Sequence, residues 1–458
     1  MTGDGMSHVL DSRIYRDMFG TVEMREIFSD QALVQAWLDV EVALARAQAA
    51  VGIIPARAAE EIARHARAEH IELEALKQQT EVVGYPILPL IRILASRCAD
   101  GAGEFIHWGA TTQDIMDTAT VLQLRRAHRI LTRALADLLG TAADLAARYR
   151  DTPMAGRTHG QQALPITFGF KAAVWVAELA RHRERLHAIA PRLFVGQLAG
   201  AAGTLASLGP DGLAVQERMM ADLGLAVPPI AWHVARDAFA EFAALLALIC
   251  GTIAKIGQEI ALLQTTEIEE VEEAYVEGKG GSSTMPQKRN PITCEALVAI
   301  GTIAGQDAAL MFAAMRPEHE RGTGPWHVEW EVIPEACILA GGALHHATVL
   351  LRHLIVRPDR MARNLQRTGG LIVSEAVMMA LAPVVGRQQA HNIVYRAAMR
   401  AVESGRGLEG VLQQDPEVAI HLSPERLRAV LNPLAYTGLC AQFVNRVLAA
   451  VGHARETR

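Results

Sequence analysis

The feature that most constrains this chain is a long apolar seam. Phe242, Leu246, Ile249, Ile253, Ile256, Ile260 and Leu263 recur at alternating steps of four and three. A strand alternates with a period of two, so only a helix keeps such a set on one face. Leu245, Leu248 and Leu262 widen the face, so this helix is expected to have neighbours all round. Val121, Leu124, Leu131, Leu135 and Leu138 form a second seam, and Leu33, Val34, Trp37, Leu38 and Leu44 a third. Alternating apolar runs bounded by turns are scarce, and aromatic residues are few. The expected class is all-α, with three helical domains around a central bundle of long helices. Breakers at Asp100–Gly103 and Pro358–Asp359 put the expected domain limits at 1–105, 106–350 and 351–458.

Composition excludes several functions. A net charge of −6 offers no basic excess with which to displace counterions from a nucleic acid. Cys98, Cys250, Cys294, Cys337 and Cys440 are odd in number and scattered, which reads as reduced, mostly buried thiols in a cytoplasmic protein. The opening MTGDGMSHVLDSRIYRDMF lacks the basic and apolar regions of a secretory signal. The longest apolar stretches are broken by charge or glycine, which speaks against a membrane span. No motif implies a metal or an organic cofactor. His345–His346 has no carboxylate at a helical spacing to complete a ligand set.

Three polar islands interrupt the apolar background: Ile106–Thr118, Gly156–Lys171 and Glu277–Pro291. A fourth and weaker one is Glu318–Trp330. Charged and hydroxyl side chains beside glycine are what a small anionic substrate needs. In the third island Gly278, Gly280 and Gly281 precede Ser282 and Ser283, then Lys288, Arg289 and Asn290. Such a segment can hold a carboxylate or a developing oxyanion. It can equally be a solvated loop after a long helix, and it lacks the order of a phosphate-binding P-loop. His107 lies near Thr111, Thr112 and Gln113, and His159 lies beside Thr158 and Gln161. Neutral histidine suits proton transfer near pH 7. Most of the 17 histidines are expected to be structural, His182 among them, but His159 stands in a polar, glycine-flanked setting.

The segment GSSTMPQKRNP, Gly281–Pro291, closely resembles the GSSxMPxKxNP signature of the fumarase/aspartase superfamily. GATTQDIMDT and RTHGQQALPITFGFK resemble its first two characteristic regions, in the same order. The likeness runs from MREIFSDQALVQAWLDVEVALARAQAAVGIIP to LNPLAYTG, and is strongest to the 3-carboxy-cis,cis-muconate cycloisomerase and adenylosuccinate lyase branch. This resemblance implies an anti elimination, or its reverse, through an aci-carboxylate intermediate. It makes Ser282 the base and His159 the acid. Thr111, Thr112, Thr158, Lys288 and Asn290 would hold carboxylates, with His107 and Gln113 supporting binding. It further implies a homotetramer in which the three regions meet from three subunits.

Within the branch the motifs divide. EHERGTGPWHVEWEVIPE and GYPILPLI look like the cycloisomerases. Trp330 stands where adenylosuccinate lyases usually carry a phosphate-gripping arginine. RTHGQQALPITFGFK and LLQTTEIEEVEE look like the eliminating lyases, and Gln287 resembles argininosuccinate lyases. The expected activity is therefore a lyase that releases fumarate or a close analogue from a substituted succinate, such as an N-substituted aspartate. Lactonisation of a carboxymuconate is the alternative, and a non-catalytic structural homologue a remote one. Trp108, Trp326, His327 and Trp330 are candidates for shaping the rest of the pocket.

Overall fold

A computed structural model describes residues 8–274 and 280–452. Its long helices are α1 (Asp30–Ala50), α2 (Thr112–Arg148), α3 (Phe168–Leu193), α4 (Asp237–Leu263), α5 (Ile292–Ala314) and α6 (Pro325–Arg352). The strands among the described residues are short: β1 (Pro153–Thr158) pairs antiparallel with β2 (Gln161–Thr167), and β3 (Val271–Glu272) with β4 (Ile355–Val356). The fold is all-α, as the seams require. All seven seam residues of α4 are at most 2% exposed, and Val121, Leu124, Leu131, Leu135 and Leu138 on α2 are fully buried.

One expectation is corrected. Leu245 is buried, but Leu248 and Leu262 are 54% and 49% exposed, so α4 lacks neighbours all round within one chain. Ile303, Leu310 and Phe312 on α5 are exposed too. A second correction concerns apolar length. Among the described residues α4, α5 and α6 are each long and apolar enough to cross a membrane by length and composition, despite their interruptions.

The chain divides into two compact units, each built from three stretches: 1–135, 182–254 and 298–345 in the first, and 136–181, 255–297 and 346–458 in the second. The three consecutive domains suggested by the breakers are another partition and stay a proposal. In the first unit α1 is capped by Ser29, whose hydroxyl accepts from the Ala32 N–H, and packs on the helix Gly212–Leu223. In the second unit Leu365, Val373, Val377, Leu381, Ile393, Ala397, Leu408 and Leu412 form a separate buried cluster.

Candidate active site

Each polar island leads into the start of a long helix: the first into α2, the second into α3, the third into α5 and the fourth into α6. Free N–H groups and the helix dipole favour negative charge at such ends. Three islands also carry a histidine in the left-handed backbone region: His107 (φ 62°), His159 (φ 52°) and His319 (φ 52°). That conformation is uncommon outside glycine and costs on the order of 1 kcal/mol or more, so it is kept only where the surroundings enforce it.

The first island belongs to the first unit and is tied down by one buried carboxylate. Asp114, on the first turn of α2, accepts from the N–H groups of Thr111 (3.0 Å), Ala199 (3.0 Å) and Gly200 (2.9 Å). It also meets His233 Nε2 at 2.8 Å. Reaching back to the Thr111 N–H is the reciprocal half of a capping box, and it fixes Thr111 and Thr112 at the helix start. Arg321 Nη1 donates to the Thr111 hydroxyl (2.7 Å), and its Nη2 to the Ala201 carbonyl (2.7 Å). A guanidinium thus stands beside the hydroxyl expected to hold a carboxylate. Gln113 is buried and donates to the His233 carbonyl (2.9 Å). His107 Nδ1 lies 2.7 Å from Oε1 of buried Glu41. Burial would push the His107 pKa down, but the Glu41 charge and hydrogen bond outweigh it and hold the pKa above its usual value.

The next turn of α2 carries Asp117, which forms a buried ion triad with Arg236 and Glu329. Arg236 donates to both Asp117 oxygens (2.8 and 2.9 Å) and, through Nε, to Glu329 (2.8 Å). Burial is the main force on Glu329 and raises its pKa, against the pull of Arg236. Trp326 Nε1 donates to Asp117 (3.1 Å). Trp330 packs edge-on to Trp326 at 5.0 Å, and His327 lies 4.3 Å from Trp330. Trp108 packs against Phe105.

The second and third islands belong to the second unit. Thr158 pairs with Gln161 across a two-residue turn made by His159 and Gly160, both with positive φ. This is the primed turn whose twist suits a hairpin, and it puts His159, exposed, at the tip. Thr158 is exposed beside it. Arg157 anchors the hairpin by a bidentate pair to buried Glu270 (2.8 and 2.9 Å), and Asn364 Nδ2 bonds the same carboxylate (2.8 Å).

Of the third island, Glu277, Gly278 and Lys279 lie outside the described residues. The rest is closed by a bridge between Gly281 and Arg289, and the Asn290 N–H donates to the Gly280 carbonyl (3.0 Å). A side chain at Gly280 would come within 2.6 Å of the Asn290 carbonyl oxygen, and its φ is +69°, so glycine is required. The Ser282 hydroxyl oxygen accepts from the N–H groups of Met285 (3.0 Å) and Thr284 (3.3 Å). Two backbone donors on that oxygen stabilise its deprotonated form, which is what a serine base needs. Lys288 is exposed and Asn290 half-buried. Glu272 holds both Arg289 (2.8 Å) and Arg357, while Glu273 accepts from the Cys294 N–H (2.9 Å) at the start of α5.

The first unit therefore gathers His107, Thr111, Thr112 and Gln113, and the second carries Thr158, His159, Ser282, Lys288 and Asn290. Sequence reasoning missed Arg321 and the carboxylates Asp114, Glu270, Glu272 and Glu273. The run EIEEVEE was a signal for the last three, since an acidic run beside two cationic islands can be their internal counter-charge.

Comparison with known proteins identifies the family. The lyase family matches residues 20–305, and the adenylosuccinate lyase C-terminus residues 370–447. The chain is 45% identical to trans-aconitate decarboxylase 1 of Mycosarcoma maydis, over 94% of this chain and 88% of that protein. It is 44% identical to the 3-carboxy-cis,cis-muconate cycloisomerase of Pseudomonas aeruginosa, over 97% of each. It is 43% identical to the N-acetyl-S-(2-succino)cysteine lyase of Enterococcus italicus, again over 97% of each. The crystal structure of a fumarate lyase from a Mesorhizobium species superposes with a TM-score of 0.89 at 48% identity, covering 94% of this chain and 98% of that one. The chain is a member of the fumarase/aspartase superfamily, and it is an enzyme of the lyase and cycloisomerase kind.

Proposed function

We propose that the protein catalyses anti β-elimination on a substituted succinate, releasing fumarate or a close analogue. The observation that carries this reading is the Ser282 hydroxyl, held by two backbone N–H groups inside the superfamily signature. Deprotonated Ser282 takes the proton beside a substrate carboxylate. The resulting aci-carboxylate carries two negative charges on its oxygens, and Lys288, Asn290 and helix N-termini offset them. His159 at the hairpin tip gives its proton to the departing heteroatom as the carbon–heteroatom bond breaks. Thr111, Thr112 and Thr158 hold carboxylates, and Arg321 joins Thr111 in that task. His107 orients the bound substrate, and Gln113 supports binding through its bond to the His233 carbonyl.

The proposal includes a homotetramer in which one copy's first island faces the second and third islands of other copies. The exposed apolar side chains on α4 and α5 support it, because a monomer would leave them in water. A relative that is a 2-succino-thioether lyase supports an eliminated heteroatom. The cycloisomerase relative supports the second reading, in which a carboxylate of the same molecule adds to the double bond.

The test offers the purified protein N- and S-succinyl compounds, adenylosuccinate and 3-carboxy-cis,cis-muconate, and follows products by mass spectrometry. Fumarate that disappears in Ser282→Ala is the expected result. Lactone from the muconate, with no fumarate from the rest, would replace elimination by lactonisation.

A further inference from the structure

The first unit contains a cavity of about 320 Å³ that none of the proposed chemical steps uses. Trp37, Trp326, Trp330, Met116 and Ile333 supply much of its wall, with Thr80, Thr120 and Gln123 as polar points. Among the described residues no lysine, arginine or histidine lines it, and Glu329 is the one charged side chain that does. Both Glu329 oxygens are already engaged by Arg236, which also serves Asp117. An anion entering this space would lose its hydration and meet no cation, and an added cation would find no free carboxylate edge. Flat indole faces and an apolar lining suit a ring, and an apolar cavity of about 150 Å³ is enough for benzene. The walls are preorganised: Trp326 is fixed by its bond to Asp117, and Trp330 by its edge contact with Trp326.

The cavity also has an address. Thr112, Met116 and Thr120 are spaced by four, so they stack on one face of α2 at steps of about 6 Å. Thr112 opens the helix, and the next two residues of the stripe line the cavity. Met116, the first cavity residue of the stripe, is one helical turn from Thr112, about 6 Å along the axis, which is comparable to the length of a benzyl group.

We infer that this cavity is the specificity pocket for the substrate's leaving half, and that it selects an uncharged aromatic substituent over phosphorylated, carboxylated or ammonium-bearing ones. The inference rests on the succinyl anchoring proposed above.

The experiment measures binding by calorimetry with inert analogues that cannot eliminate: 2-methylsuccinate, 2-benzylsuccinate, 2-(2-carboxyethyl)succinate and 2-(4-ammoniobutyl)succinate. Benzyl alcohol, read by tryptophan fluorescence, probes the cavity alone. Expected are at least tenfold tighter binding of the benzyl than the methyl compound, no such gain for either charged one, and quenching by benzyl alcohol. Trp330→Arg should abolish the benzyl preference and the quenching, and favour the carboxyethyl compound. If the succinates bind but benzyl gives no gain, or a charged substituent equals it, the pocket assignment is overturned while the anchoring stands. If benzyl alcohol binds in a Trp330-dependent way and no succinate binds, the anchoring falls, and with it the assignment of the cavity to a leaving half.

Discussion

The first island and the signature segment are built in opposite ways. The first is cross-linked from within: Asp114 alone takes three backbone N–H groups and a histidine, and Asp117, Arg236 and Glu329 form a buried triad one turn along. Its backbone and side chains are fixed by groups far away in sequence. Around Ser282 the described residues are mostly exposed, and the anchors are backbone pairs at the two ends plus the Arg289–Glu272 ion pair. Under the proposed roles the difference separates two demands. Carboxylate hydroxyl partners must be held to within a fraction of an ångström, whereas a base that takes a proton and surrenders it benefits from a segment with little packing to lose.

The sharpest attempt to break this contrast is Ser282→Ala. The serine is half-exposed and its bonds are local, so the unfolding transition should stay within about 0.5 kcal/mol of the parent. Turnover should fall on the order of 10³-fold, as when a proton-transfer group is removed. A denaturant midpoint that moves with the activity would show that the segment supports the fold, and the contrast would go.

Arg236→Met asks the converse of the first unit. Removing the guanidinium leaves Asp117 and Glu329 buried and unpaired, which should cost roughly 3–5 kcal/mol in urea unfolding. A loss below about 1 kcal/mol would mean that the triad is not what holds α2 to α6 in that unit.

His159→Asn sharpens the comparison at the hairpin. Asparagine tolerates the left-handed backbone, so the turn with Gly160 survives. Turnover should fall about 10²-fold with substrates whose leaving group needs a proton. It should fall far less with a thiolate leaving group, which departs without one. Equal losses on both would remove His159 from the acid role.

The fold was legible because it rests on periodicity. All seven seam residues chosen on α4 are buried, since an apolar 4–3 spacing has one structural solution. The face beyond the seam was misjudged: Leu248 and Leu262 remain exposed, because periodicity says which side is apolar and not what packs against it. The hairpin at His159 escaped notice for a local reason. PMAGRT and QQALPIT do not alternate cleanly, a bulge at Gly156 breaks their register, and a histidine is a rare first residue in a primed turn. Ser282 could be singled out as a candidate because the motif around it is contiguous. Arg321 could not, since it reaches Thr111 across 210 residues and only the fold brings the two together.

The smallest effect belongs to the pair at the edge of the first island, and its sign is informative. Glu41 holds the His107 pKa above its ordinary value although burial alone would lower it. In Glu41→Gln the charge is gone while the burial and the Asp114 charge remain, so the His107 pKa should fall from its raised position. A raised folded pKa stabilises the fold fully below the unfolded value, and that stabilisation is lost as pH rises through the folded value. The parent should therefore exceed Glu41→Gln in stability by roughly 1.5 kcal/mol near pH 5.5. The gap should close steadily towards pH 9. A gap that stays flat with pH would mean that His107 is held by packing alone, and the cross-linking that distinguishes this island would then stop at Asp114.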